Sequence, residues 1–138
     1  MKRALGLFGL VVLLAACGCT DVGCLSMVQV SLPSLVEWSG TGSFIVELCV
    51  GDYCQSQGID PERAAQLEAN NHGQISFAEI PNEVGKDRVS INVSADGAIL
   101  QVESSAIDFE SHRPNGAFCE PVCYYASVAV EDGQLVNR

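Results

Sequence analysis

The sequence predicts an all-β chain, a two-layer antiparallel sandwich of about seven to eight strands with one short helix near residues 61–69. Three observations predict it. Apolar residues recur at every second position in short runs, turn-forming Gly, Asp, Asn and Pro separate those runs, and one hairpin sorts polar from apolar side chains in a single register.

The elements follow in order. Met27 to Leu32 is the first run. In Ser43 to Val50, Phe44, Val46, Leu48 and Val50 share one face, and Gly51-Asp52 makes a tight turn into Tyr53 to Gln57. A two-residue loop sets Val50 opposite Tyr53 and Cys49 opposite Cys54. The two sulfurs then lie on the face away from the apolar stripe, within reach of a disulfide. Asp60-Pro61-Glu62 reads as an N-cap, a proline at the first helical position and an acidic first turn, and Asn70 to Gly73 reads as a stop. The helix between them would cross from one sheet to the other on a narrow apolar side of Ala64, Ala65 and Leu67. After Gln74 to Ile80, Arg88 to Glu103 is a hairpin turning at Asp96-Gly97. Its register pairs Val93 with Leu100 and Ile91 with Val102 on one face, and Asn92 with Gln101 and Ser90 with Glu103 on the other, as a half-buried sheet requires. Ala106 to Phe109 and Tyr124 to Val130 complete the set, the last with Tyr124, Ala126, Val128 and Val130 turned inward. Such strands argue for an immunoglobulin-like or fibronectin-like sandwich. The lone Trp38, beside Ser39-Gly40-Thr41-Gly42, is expected in the core.

Residues 1–16 read differently. Met1-Lys2-Arg3 is a short positive start, and Ala4 to Ala16 is an apolar run too short to span a bilayer, the pattern of a cleaved secretion signal. It ends in Leu14-Ala15-Ala16-Cys17, which resembles a bacterial lipobox, and that resemblance implies a diacylglyceryl and palmitate anchor on Cys17. The expected organisation is a lipoprotein signal peptide over 1–16, a short anchor segment over 17–26 and a single β-sandwich domain over 27–138. The nine residues between Cys17 and Met27 reach about 30 Å at most, so the domain should sit close to its membrane. Cysteine parity agrees: seven is odd, and assigning Cys17 to thioether chemistry leaves six to pair. In an exported protein Cys19, Cys24, Cys49, Cys54, Cys119 and Cys123 are most simply three disulfides. Beyond Cys49 with Cys54, bonds joining Cys19 and Cys24 to Cys119 and Cys123 are favoured, because they close the longest loops.

Charge excludes one class of partner. Once Lys2 and Arg3 leave with the signal, five basic residues face seventeen acidic ones, a net of about −12. Nucleic acid is bound by releasing counterions to Lys and Arg, and no basic stripe exists to do this. Anionic lipid headgroups would also repel the chain, so membrane residence rests on acyl chains.

Chemistry-bearing residues are few. Cys19, Cys24, Cys119 and Cys123 have spacings a zinc site could use, but export favours disulfides, and no metal or other cofactor is expected. His72 in Asn70-Asn71-His72-Gly73 and His112 in Ser111-His112-Arg113-Pro114 belong to no ligand or catalytic motif and are expected to be solvent-facing. No GxSxG elbow, Ser-x-x-Lys or phosphate-cradling glycine loop is present. An acid pair such as Glu110 with Glu120 is the one hydrolytic arrangement the residues offer, and the chain is not expected to be an enzyme.

The loop from Glu110 to Cys123 carries a second resemblance. Arg113-Pro114-Asn115-Gly116 followed by Cys119-Glu120-Pro121-Val122-Cys123-Tyr124, together with Val46-Glu47-Leu48-Cys49-Val50-Gly51-Asp52-Tyr53-Cys54, looks like a group of small uncharacterised bacterial lipoproteins. The resemblance implies fold and location, a lipid-anchored protein of the cell envelope, and no activity. Pro114 and Pro121 stiffen the loop, and Asn115-Gly116 turns it. Ordered loops on rigid scaffolds carry binding, which makes Arg113, Asn115, Phe118 and Glu120 the candidate binding residues. The expected function is a non-catalytic interaction module for an envelope protein or a wall polymer. The alternative is an inhibitor whose 110–123 loop blocks a hydrolase outside the cytoplasm, a basic lysozyme-like one being the best electrostatic match.

Overall fold

A computed structural model describes residues 23–33 and 42–138. The lipobox, Cys17, Cys19 and Trp38 lie outside the described residues. The elements in chain order are β1 (Ser26–Ser31), β2 (Phe44–Val50), β3 (Tyr53–Ile59), α1 (Pro61–Asn71), β4 (Gln74–Ile80), β5 (Val89–Ala95), β6 (Ala98–Ser104), β7 (Glu110–His112), β8 (Cys123–Glu131) and β9 (Gln134–Asn137). They form two stacked sheets. One runs β4-β1-β8-β7 with β9 also paired to β8, and the other runs β3-β2-β5-β6. Every ladder is antiparallel except that between β1 and β8, which is parallel.

The all-β sandwich and its single short helix are as the sequence predicts, and period two is the reason. Phe44, Val46, Leu48 and Val50 of β2 are all but inaccessible, as are Val89, Ile91 and Val93 beside them on β5. Val28, Val30, Ile75, Phe77 and Val128 face them from the other sheet. Each such side chain contributes about 1.5–3 kcal/mol by leaving water, so a one-residue slip of any central strand would forfeit several of these at once. The observed registers match the predicted ones: Val50 with Tyr53, Cys49 with Cys54, Val93 with Leu100 and Ile91 with Val102.

The helix is capped as its first residues imply. Asp60 accepts a hydrogen bond from the Arg63 N–H at 2.8 Å, and His72 closes the other end in the left-handed conformation at φ 51°. It carries the chain from β3 in one sheet to β4 in the other. Of its expected apolar side, Ala64 is fully buried and Leu67 half-buried, while Ala65 is exposed. One turn of small side chains suffices because the helix roofs an end of the sandwich and has little core of its own to fill.

Edges are closed by side chains. Gln55 and Gln57 on β3 donate through Nε2 to the carbonyls of Ala78 and Ser76 on β4, at 3.1 and 2.8 Å. These bonds bridge the two sheets and occupy backbone acceptors that an open edge would offer to another chain.

The strand order differs from the expected one at two places. Ala106 to Phe109 is not a strand: Ile107 and Phe109 pack against the core, but the Asp108 N–H is taken by the Asn137 side chain and joins no ladder. The strand in that region is β7, one residue further on. The hairpin from β8 to β9 was not predicted, although its Asp132-Gly133 turn, at φ 50° and 74°, is a strong hairpin signature. The described residues therefore hold nine strands. Tyr124 shares the side of β8 that carries buried Ala126 and Val128 and is itself half-buried, with the Lys86 ammonium 3.8 Å from its ring centre.

Gly51 is the glycine the fold needs. Its φ is +55°, its N–H donates to the Arg88 carbonyl at 2.9 Å, and a Cβ there would lie 2.5 Å from the Gly85 carbonyl oxygen. Gly51→Ala is expected to cost roughly 2–4 kcal/mol through left-handed strain plus backbone displacement. At Gly58 in β3 nothing lies within 4 Å of an added Cβ, so Gly58→Ala is expected to be neutral or mildly stabilising. Urea unfolding of the two variants, compared at equal m-value, measures the contrast; equal losses would refute it.

Candidate binding surface

β8 is the spine of the surface that gathers most of the polar chemistry. One of its sides pairs with β1 over residues 125–129. On its other side β7 covers residues 123–125 and β9 covers residues 128–131. The interval at Ala126 and Ser127 is left between two short strands. There the Arg138 N–H donates to the Ser127 carbonyl at 2.8 Å, and a half-open depression of about 480 Å³ lies over the outward face. Met27 and Tyr125 give it apolar walls, and Asp108 and Glu110 bring two carboxylates.

Asn137 positions one of those carboxylates. Its Oδ1 accepts from the Asp108 N–H at 2.8 Å, and its Nδ2 donates to the Ala106 carbonyl at 2.9 Å and to Asp108 Oδ2 at 3.2 Å. One side chain from the last strand thus replaces the missing ladder of residues 106–109. Glu110 is set by pairing opposite Tyr125, and the His112 ring lies 6.3 Å from the Tyr125 ring in a tilted arrangement. His112 is exposed as expected, but on β7 and not in a loop. Sequence reasoning missed Asp108 and Asn137 because only the return of β9 brings them together.

The predicted loop residues divide into frame and tip. Asn115 is buried and donates from Nδ2 to the Glu120 carbonyl at 2.8 Å. Arg113 donates to the Cys119 carbonyl at 3.3 Å and lies 3.6 Å from the Glu120 carboxylate. The Gly116 N–H reaches the Arg113 carbonyl, and the Cys119 N–H reaches that of Gly116. Arg113 and Asn115 therefore hold the loop, since both spend donors on its backbone. Phe118 is left 91% exposed at the tip. Glu110 sits on β7 opposite Tyr125, and Glu120 lies 3.6 Å from Arg113.

Disulfides tie this region down. Cys24 is bonded to Cys123 with Cα atoms 5.9 Å apart, and Cys49 to Cys54 at 4.0 Å. Cys119 is also disulfide-bonded, to a sulfur outside the described residues. Ser26, almost fully buried, reinforces the same end, donating to Asn82 Oδ1 and accepting from the Tyr124 N–H at 2.9 Å. Beside it the Lys86 ammonium donates to the carbonyls of Asn82 and Val84 at 2.8 and 2.9 Å. Burial lowers its pKa below 10.5, against the opposing pull of Glu83.

Among the described residues, no group of three His, Cys, Asp or Glu side chains is placed to hold a metal, and no helix is long and apolar enough to cross a membrane. No protein-family model, curated protein or solved structure matches this chain.

Proposed function

We propose that this chain is a non-catalytic binding module of the bacterial cell envelope, anchored by an acylated Cys17 after removal of residues 1–16. It presents the depression between β7 and β9 to an envelope protein or wall polymer. Cysteine bookkeeping supports the anchor. Cys24, Cys49, Cys54, Cys119 and Cys123 are all in disulfides, so the sulfur bonded to Cys119 comes from Cys17 or Cys19. One of those two is left over, and the cysteine of Leu14-Ala15-Ala16-Cys17 is the one the lipobox pattern would modify.

The observation that carries the binding reading is the depression itself. Asp108 and Glu110 flank apolar walls on a rigid sheet, and the cation of the lining, Arg138, is paired with Glu131 at 2.6 Å, an arrangement suited to a ligand with a cationic group beside an apolar one. The electrostatic match to a basic hydrolase, the second reading, rests on Asp108 and Glu110, because at the tip of the 110–123 loop Arg113 and Glu120 offset each other.

The test is capture from detergent-solubilised envelopes by the native protein and by an Asp108→Asn/Glu110→Gln variant, at low and high salt. The expected result is a component retained at low salt by the native protein and reduced at least tenfold with the variant, whose circular dichroism is unchanged. Equal retention by both proteins, or nothing enriched over a lipobox-less control, overturns the reading.

A further inference from the structure

We infer that the tip of the 113–123 loop, Gly116-Ala117-Phe118, together with Leu25, is a membrane-contacting surface that rests on the lipid bilayer beside the anchor. The inference builds on the proposed acylation of Cys17 and adds the face by which the domain meets the membrane.

Exposure comes first. Of the four large apolar side chains left exposed among the described residues, Phe118 is the most accessible at 91%. Leu25, at 56%, directly follows Cys24, whose bond to Cys123 joins it to the base of the same loop. Phe118 has no role in holding the loop. Asn115, Arg113, two backbone turn bonds and the Cys119 disulfide already fix it. A rigid frame that presents an uncovered phenylalanine points to an apolar environment outside the chain.

The tether says which environment. Six residues lie between Cys17 and Cys24, a reach of at most about 25 Å over seven chain steps. A compact domain of this size is roughly 35 Å across, so an acyl chain on Cys17 keeps the Cys24–Cys123 end, and not the opposite end, against the bilayer. If Cys19 supplies the sulfur bonded to Cys119, two chain steps and one disulfide separate the acylated residue from the neighbour of Phe118, about 13 Å between Cα atoms at full stretch.

Charge agrees. The chain as a whole is acidic and is repelled by anionic headgroups, but the tip itself is neutral, with Arg113 and Glu120 3.6 Å apart behind it. An aromatic ring and an aliphatic side chain beside a lipid anchor supply the second, weak contact that a single anchoring point leaves free to form.

The experiment uses the native acylated protein reconstituted in phosphatidylcholine–phosphatidylethanolamine vesicles with and without brominated acyl chains. Phe118→Trp and Ile99→Trp are compared with wild type, whose Trp38 emission is subtracted. Ile99 is 76% exposed and pairs with Ser94 towards the far end of β5, which makes it the control. The expected result is blue-shifted emission from Phe118→Trp with at least half of it quenched by brominated lipid, and no quenching for Ile99→Trp. Protein that floats with the vesicles and carries its acyl chain, yet shows Phe118→Trp unquenched, overturns the inference, whether that tryptophan is open to acrylamide or shielded by a bound protein. Protein that carries no acyl chain and does not float overturns the anchor reading beneath it.

Discussion

Removing the Cys24–Cys123 bridge together with the Cys119 bridge is expected to cost roughly 7 kcal/mol, while removing either alone costs about 2–3 kcal/mol. The reasoning is chain entropy. A bond across a sequence separation of 99 restrains the unfolded chain by about 4–5 kcal/mol when it acts alone. On the proposed pairing of Cys119 with Cys17 or Cys19, its bridge ties nearly the same two stretches, so with one bridge in place the other closes only a small further ring. Cys24→Ala/Cys123→Ala should therefore behave much like Cys49→Ala/Cys54→Ala, whose separation of 5 implies about 2 kcal/mol. Adding Cys119→Ala, with the released thiol alkylated, should then remove most of the 5–15 kcal/mol that small domains possess. Urea unfolding of the single-bridge and double-bridge variants gives the coupling as a double-mutant cycle. Plain additivity of the two terminal bridges would refute the account.

Phe77→Ala is expected to cost about 3–5 kcal/mol. Phe77 on β4 is completely buried in the core between the sheets, and Phe44 on β2, with 1% exposure, belongs to the same cluster. Truncating the ring forfeits its transfer energy and leaves a cavity that the hydrogen-bonded strands around it can only partly collapse to fill. The contrast is Ile45→Ala. That side chain is adjacent to Phe44 in sequence but 51% exposed, and its loss should stay within about 0.5 kcal/mol. Thermal unfolding by circular dichroism reads both. A comparable loss at Ile45 would mean that the two faces of β2 are not distinguished as period two requires.

The strands most legible in the sequence are those whose pairing is local. The β2–β3 and β5–β6 hairpins follow from Gly51-Asp52 and Asp96-Gly97, because a two-residue loop fixes the register and alternation fixes the face. The helix was legible for the same reason, through Asp60 and Pro61, which act within one turn. The β8–β9 hairpin has an equally local mark in Asp132-Gly133, but the four residues of β9 after it are too short a run for alternation to stand out. Residues 106–109 misled because Ile107 and Phe109 alternate like a strand while their backbone partner is a side chain 29 positions away. Of the predicted loop residues, Phe118 and Glu120 remain accessible; Asn115 is buried because a carbonyl five residues on satisfies its amide, which spacing alone does not reveal.

By itself, the sequence determined the fold class, the faces of the central strands, the Cys49–Cys54 pairing and the acidic character of the surface. These depend on neighbours a few residues apart and on counts. Only the tertiary structure decided the parallel pairing of β1 with β8, the joining of Cys24 to Cys123 across 99 residues, and the meeting of Asp108, Glu110, Tyr125 and Asn137 in one depression. Each of those joins chain segments whose separation carries no local conformational signal, and is selected by how two sheets bury their apolar faces together.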